Sequence, residues 1–311
     1  MTRSPEKLES GVWGILATPF TGPHRSVDTD SLTRLVEHYS QIGATGVVAL
    51  GVLGEAARLD AAERETVLRH VVASAGPMLV VAGTGATATQ PAVEEALRAA
   101  NCGASYVMIL VPTAQGDVLA EHLRRISQAS GSRIVLQDHP QTTGVVIPPA
   151  VLARSALASD VVSALKAESP PAAPSVATFV AHADLPVFGG LGGVGLLDEL
   201  LAGSVGAMTG FAFLEALIAT LRAWQSGGYE VVRDAYIPWM PLVIYEFQDK
   251  IGLSLRKEIL CRRGLIAEAS VRIPGVEAPS SALEALDAHL RPVQVALDGL
   301  EHMAAAVSQS S

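Results

Sequence analysis

The chain has 311 residues, 49% of them apolar and only 17% charged, with a mean hydropathy of +0.35. That composition excludes a largely disordered chain, and its size suits two domains or one large α/β barrel with an appendage. The formal charge of −9 and the lack of any clustered basic face beyond Arg262 and Arg263 speak against a nucleic-acid partner.

Short β-rich apolar runs begin near Trp13, Gly46, Met78, Ser105, Arg133, Val161, Pro186 and Val205, spaced 19 to 33 residues apart. Segments of helical period lie between them, which is the alternation of parallel βα units. Eight such units are the number that closes a (β/α)8 barrel. Residues 30–43 place Leu32, Leu35, Val36 and Tyr39 on one helical face and end at Gly43. Residues 60–75 open on Asp60 with Glu63 three positions on, the spacing of a capping box. Pro148 and Pro149 suit a helix start. An eighth barrel helix is expected over 211–224. Helices over 230–249, 253–263 and 282–303 follow, with no strand between them. We therefore expect a barrel domain over 11–227, a helical region over 228–303 and a frayed tail over 304–311.

The most apolar stretches, 77–83 and 106–112, are far shorter than the ~20 residues of a membrane span and read as buried strands. Cys102 and Cys261 have no metal-site spacing, and no apolar stretch of a secretory signal follows the charged N-terminus. A cytoplasmic protein without a metal is expected.

In a barrel of this kind the reactive groups gather at the C-terminal ends of the strands. Lys166 is one of only four lysines and closes the apolar run Val161, Val162, Ser163, Ala164, Leu165. Desolvation disfavours an ammonium, and a neutral amine can condense with a ketone to form a Schiff base. A simpler part, pairing with Glu168 or reaching to the rim, fits the same position. Glu168 falls on the same side of an extended strand as Lys166, either to shuttle protons or to hold the lysine. Gln137, Asp138 and His139 end the fifth run, with Gln137 and His139 on one face and Asp138 on the other. A metal held by Asp138, His139 and Glu168 has no supporting ligand spacing. The glycine-punctuated turns Gly51, Val52, Leu53, Gly54, Glu55 and Gly83, Thr84, Gly85 offer backbone N–H groups to an anion, or serve the chain's turning alone.

Taken in order, Ala17-Thr18-Pro19-Phe20, Gly51-x-x-Gly54-Glu55, Asp60-x-x-Glu63-Arg64, Ala82-Gly83-Thr84-Gly85 and the lysine closing the sixth strand resemble the dihydrodipicolinate synthase / N-acetylneuraminate lyase family. The resemblance runs from about Gly11 to Gly210. It implies a (β/α)8 barrel with a C-terminal helical region, a homo-oligomer (tetramer or dimer), and an imine between Lys166 and pyruvate or another 2-keto acid, with no separate cofactor. Four departures stand out. Val52 and Leu53 replace the family's carboxylate-binding threonines, Gln137 replaces its catalytic tyrosine, Thr113 and Ala114 stand where a second tyrosine is expected, and Thr142 aligns with its arginine. Gln137-Asp138-x-Pro140, Lys166-x-Glu168, Thr209-Gly210-Phe211 and Lys257 with Arg263-Gly264 are similar to the branch that dehydrates 2-keto-3-deoxy sugar acids. The expectation is a Schiff-base lyase with Lys166, Glu168 and Gln137 as catalytic residues. Thr18, Gly51, Val52, Leu53, Asp138, Met208, Thr209 and Gly210 are expected to bind a small 2-keto acid. An aldolase or a dihydrodipicolinate synthase-type condensation is the alternative, and a non-catalytic keto-acid binder the second.

Overall fold

The computed structural model describes residues 7–293. Eight parallel strands close into a barrel: β1 (Gly11–Ile15), β2 (Gly46–Ala49), β3 (Leu79–Thr84), β4 (Tyr106–Leu110), β5 (Arg133–Asp138), β6 (Val162–Ala167), β7 (Val187–Gly189) and β8 (Gly206–Thr209). Each begins within two residues of the apolar run that announced it. Between them run α1 (Thr29–Gln41), α2 (Ala61–Ser74), α3 (Thr89–Asn101), α4 (Gly116–Ser130), α5 (Pro149–Ser159), α6 (Ala172–His182) and α7 (Leu196–Leu201), and α8 (Leu214–Tyr236) follows β8. Asp60 caps α2 in a full capping box: its carboxylate accepts from Glu63 N at 2.8 Å, and Glu63 accepts from Asp60 N at 3.0 Å.

Two apolar layers follow from strand alternation. Trp13, Ile15, Val48, Val81, Met108, Val135, Ala164, Phe188 and Met208 fill the barrel, and Leu8 joins them, its N–H donating to Ser163 O at 3.1 Å. The outward residues, such as Val47, Ile134, Leu136 and Leu165, pack beneath the helices. Gly46 makes room for the indole of Trp13, because a Cβ there would lie 2.3 Å from the ring.

One irregularity decides where the chemistry points. Ile134 pairs with Val162 but Val135 pairs with Ala164, so β6 carries one extra residue, Ser163. A one-residue slip exchanges the two faces of a strand. Without it Lys166 would pair with Asp138 and face the helices. With it Lys166 pairs with Gln137 and faces the mouth of the barrel.

Beyond β8 the expected helical boundaries shift. The eighth helix starts at Leu214 and continues to Tyr236, with a non-helical residue, Gly228, inside it. The single helix expected over 230–249 is broken by the 3-10 turn Ile237–Trp239, after which come α9 (Met240–Glu246) and α10 (Gly252–Arg262). Pro238 and Pro241 lack the N–H groups a continuous helix would use. The next helix, α11, covers Ser280–Leu290. The rest of the helix expected over 282–303, and the tail 304–311, lie outside the described residues. Among the described residues no helix is long and apolar enough to cross a membrane.

Candidate active site

A cavity of about 480 Å3 opens at the C-terminal mouth of the barrel. Ile15, Met108 and the turn Gly51, Val52, Leu53 give it an apolar wall, while Gln137, His139, Lys166, Glu168 and Thr209 supply polar groups. Lys166 and Glu168 are 4% and 6% exposed, so their interaction is sheltered from water. Lys166 Nζ stands 3.0 Å from Glu168 Oε2, and Gln137 Nε2 donates to the same oxygen at 2.5 Å. Leu191 N donates to Glu168 Oε1 at 3.2 Å. Gly190 is needed here, since a Cβ on it would fall 2.4 Å from both Cγ and Oε1 of Glu168.

Burial pushes the Glu168 carboxyl up, but the charge of Lys166 and the hydrogen bonds from Gln137 and Lys166 outweigh it and hold the group below its ordinary value. The site thus contains a buried, ionised carboxylate beside an amine. His139 also lines the cavity; burial lowers its pKa, which favours the neutral imidazole, and its Nδ1 has no hydrogen-bond partner.

The remaining expected residues divide. Gly51, Val52, Leu53 and Thr209 line the cavity, whereas Thr18, Asp138, Met208 and Gly210 do not. Thr18 is spent on the backbone, donating to Gly54 O at 2.6 Å. Asp138 lies on the outward side of β5 opposite Ala167, where burial and the nearby Glu168 charge push its carboxyl up to about 6. Met208 is part of the barrel filling, and Gly210 lies against Arg256. Thr209 accepts from Gly192 N at 2.9 Å and so holds the turn after β7.

The turn at Gly85 is not open to an anion, because Gly85 N and Ala86 N already donate to Glu95 Oε2, at 2.8 and 3.1 Å. Glu55 likewise serves the fold: Lys257 Nζ, Arg58 Nη1 and Arg272 N meet its carboxylate at 2.5, 2.7 and 2.9 Å. Among the described residues no three His, Cys, Asp or Glu side chains gather as a metal site. The sequence reading missed the far wall. Glu246, Phe247, Gln248, Asp249, Lys250, Leu253 and Arg256, from α9, α10 and the loop joining them, all border the cavity. The only signal for Arg256 in the sequence was an arginine at helical spacing from Leu253, Ile259 and Leu260.

Comparison with known proteins agrees with this fold. The family model described as the dihydrodipicolinate synthetase family matches residues 8–292. The chain belongs to that family. It is a lyase of the Schiff-base-forming kind, on the same closed barrel. An L-2-keto-3-deoxyarabonate dehydratase of Azospirillum brasilense is 29% identical over 290 residues, covering 88% of this chain and 91% of that protein. A 4-hydroxy-tetrahydrodipicolinate synthase of Xanthomonas campestris pv. campestris is 35% identical over 167 residues, 52% of this chain and 55% of that protein. Among solved structures, the dihydrodipicolinate synthase of Rhodopseudomonas palustris superposes with a TM-score of 0.86 at 31% identity, covering 92% of this chain and 99% of that one.

Proposed function

We propose that the chain dehydrates a 2-keto-3-deoxy sugar acid through an imine on Lys166. The observation that carries this reading is the buried cluster of Lys166, Glu168 and Gln137 at the barrel mouth, with a glutamine in place of a phenol. The near full-length similarity to the Azospirillum brasilense dehydratase supports it.

Glu168 takes a proton from the Lys166 ammonium, Nζ attacks the C2 ketone, and that proton leaves with the former ketone oxygen as water, giving the protonated imine and the ionised carboxylate again. Glu168 takes a proton from C3, and the electron pair of that C–H bond moves toward the imine nitrogen to give an enamine. The enamine then expels the C4 hydroxyl as water, with the proton that Glu168 has just collected. Hydrolysis of the remaining imine frees the product and Lys166. Gln137 holds the Glu168 carboxylate on the side of C3. Gly51, Val52, Leu53 and Thr209 enclose the substrate; Thr18, through Gly54 O, and Gly210, beside Leu53, support that wall, while Asp138 and Met208 have no contact with the substrate. The lysine supplies the electron sink, so the scheme uses no separate cofactor. The barrel to residue 227 is the catalytic domain, and the helical region from 228 closes the cavity.

A pyruvate-dependent aldol reaction is the second reading, favoured by the structural likeness to the Rhodopseudomonas palustris synthase. Against it, no tyrosine lines the cavity among the described residues. We also propose that the protein works in the cytoplasm as a homo-oligomer; exposed Leu157, Val180 and Leu201 on α5, α6 and α7 give it apolar surface to cover.

The test is to incubate the protein with pyruvate and with a panel of 2-keto-3-deoxy sugar acids, reduce with borohydride, and locate the adduct by peptide mass spectrometry. An adduct on Lys166, lost in Lys166→Ala, and release of a dehydrated product are expected. Pyruvate among the products makes the enzyme an aldolase. No adduct from any ligand in folded protein leaves a binding role.

A further inference from the structure

The cavity holds a second buried cation that the chemistry above leaves unused. In the closed order β1-β8-β7-β6-β5-β4-β3-β2, strand β6 stands opposite β2. The turn after β2 that carries Val52 and Leu53 therefore faces Lys166 across the mouth. Arg256, reaching in from α10, stands between the end of β8 and that turn. Its Nη1 lies 2.3 Å from the point a Cβ on Gly210 would occupy, and Leu53 Cδ1 lies 3.0 Å from the same point.

The guanidinium is only half used. Arg256 is 3% exposed, borders the cavity, and donates from Nε to Glu246 Oε1 at 2.5 Å. Glu246 spends its other oxygen on Ala212 N at 3.0 Å, so the carboxylate is committed to the fold. Among the described residues Arg256 Nη1 has no hydrogen-bond partner. A buried cationic donor without an acceptor is costly, and an anion arriving in the cavity removes that cost. The nearby turn offers an anion backbone N–H groups but no side-chain hydroxyl and no positive charge, because Val52 and Leu53 are hydrocarbon.

We propose that Arg256 binds the carboxylate of the 2-keto acid, holding it across the cavity from Lys166. This rests on the keto-acid reading of the site, and it makes Arg256 a binding residue that selects anionic substrates. A neutral analogue that keeps the ketone but lacks the carboxylate loses the contact. Because Nη1 is free while Nε is engaged, the carboxylate joins a guanidinium already fixed in place by Glu246.

The experiment compares equilibrium binding of pyruvate and pyruvamide by calorimetry, without reductant, in the wild type, Arg256→Met and Glu246→Gln. Wild type is expected to prefer pyruvate by roughly tenfold or more, the range of a hydrogen bond to a charged group. Arg256→Met brings the two affinities together. Glu246→Gln, which disturbs the same helix contact but keeps the cation, retains the preference. Should Arg256→Met fail to fold, Arg256→Gln, whose amide still donates to Glu246, is read in the same way. An undiminished preference without Arg256, an equal loss in Glu246→Gln, or no preference in the wild type overturns the proposal. The Schiff-base reading fails on a different observation, absence of a borohydride-stable adduct on Lys166, which leaves the carboxylate preference measurable.

Discussion

Replacing Gly190 by alanine tests whether the placement of Glu168, rather than its mere presence, matters to turnover. The new Cβ would fall 2.4 Å from Cγ and Oε1 of Glu168, against ordinary carbon contacts near 3.5 to 4 Å. The carboxyl must therefore retreat by roughly 1 Å. That movement disturbs three contacts at once, from Gln137 at 2.5 Å, Lys166 at 3.0 Å and Leu191 N at 3.2 Å. A misplacement of about 1 Å costs on the order of 100-fold in rate. Overpacking adds roughly 1 to 3 kcal/mol of destabilisation, which a large barrel survives. The assay is exchange of the pyruvate methyl protons in deuterated water, followed by NMR, which needs both imine formation and proton removal at C3. Borohydride trapping reads imine formation alone. Gly190→Ala should slow exchange by one to two orders of magnitude while still trapping pyruvate on Lys166. Exchange within twofold of the wild type would refute the argument that Gly190 fixes the proton-transferring group. Parallel loss of trapping would refute it too, by moving the damage from Glu168 to Lys166.

Further predictions concern the buried charges. Glu199 is 1% exposed, and burial, with the charges of Glu168 and Asp198, outweighs the help of the Gly190 backbone N–H and pushes its pKa up to about 8. The folded state keeps a proton that the unfolded chain releases above its ordinary value of 4.5, so stability falls as pH rises from about 4.5 to about 8. Glu199→Gln should remove that slope, worth on the order of a few kcal/mol at ~1.4 kcal/mol per pH unit, in urea unfolding compared at pH 5 and pH 8; an unchanged slope would count against a protonated Glu199. Lys257→Met breaks the fully buried pair with Glu55 and should cost roughly 3 kcal/mol, the low end for such a pair because Arg58 stays on the carboxylate. Asp60→Ala removes one half of the α2 capping box and should cost about 1 kcal/mol, read as a drop in melting temperature with unchanged pyruvate trapping.

The local elements were legible because the forces that set them act over a few residues. Strand runs, the α2 cap, the start of α5 at Pro149 and the end of α1 near Gly43 follow from alternation, side-chain capping and backbone restriction, all written in neighbouring positions. The helices after β8 were read less well. Gly228 and the prolines at 238 and 241 act on a long apolar stretch whose packing, rather than whose period, fixes where each helix stops.

Lys166 and Glu168 could be paired from the sequence because they sit two residues apart at the end of one strand, Glu168 just past Ala167. What turns that pair inward is the extra residue in β6, which shows only when β5 and β6 are laid side by side. Glu95 filling the amides of Gly85 and the carboxyls of Glu199 and Glu168 standing where Cβ atoms at Gly189 and Gly190 would be are likewise matters of closure. So is Arg256, some 90 residues beyond Lys166 in the chain yet on the wall of the same cavity. The sequence by itself determined the barrel, its strand ends and the lysine that closes the sixth strand, because periodicity and turn chemistry are local. The tertiary structure alone decided which polar groups share the cavity, because that depends on how distant segments pack once the barrel closes.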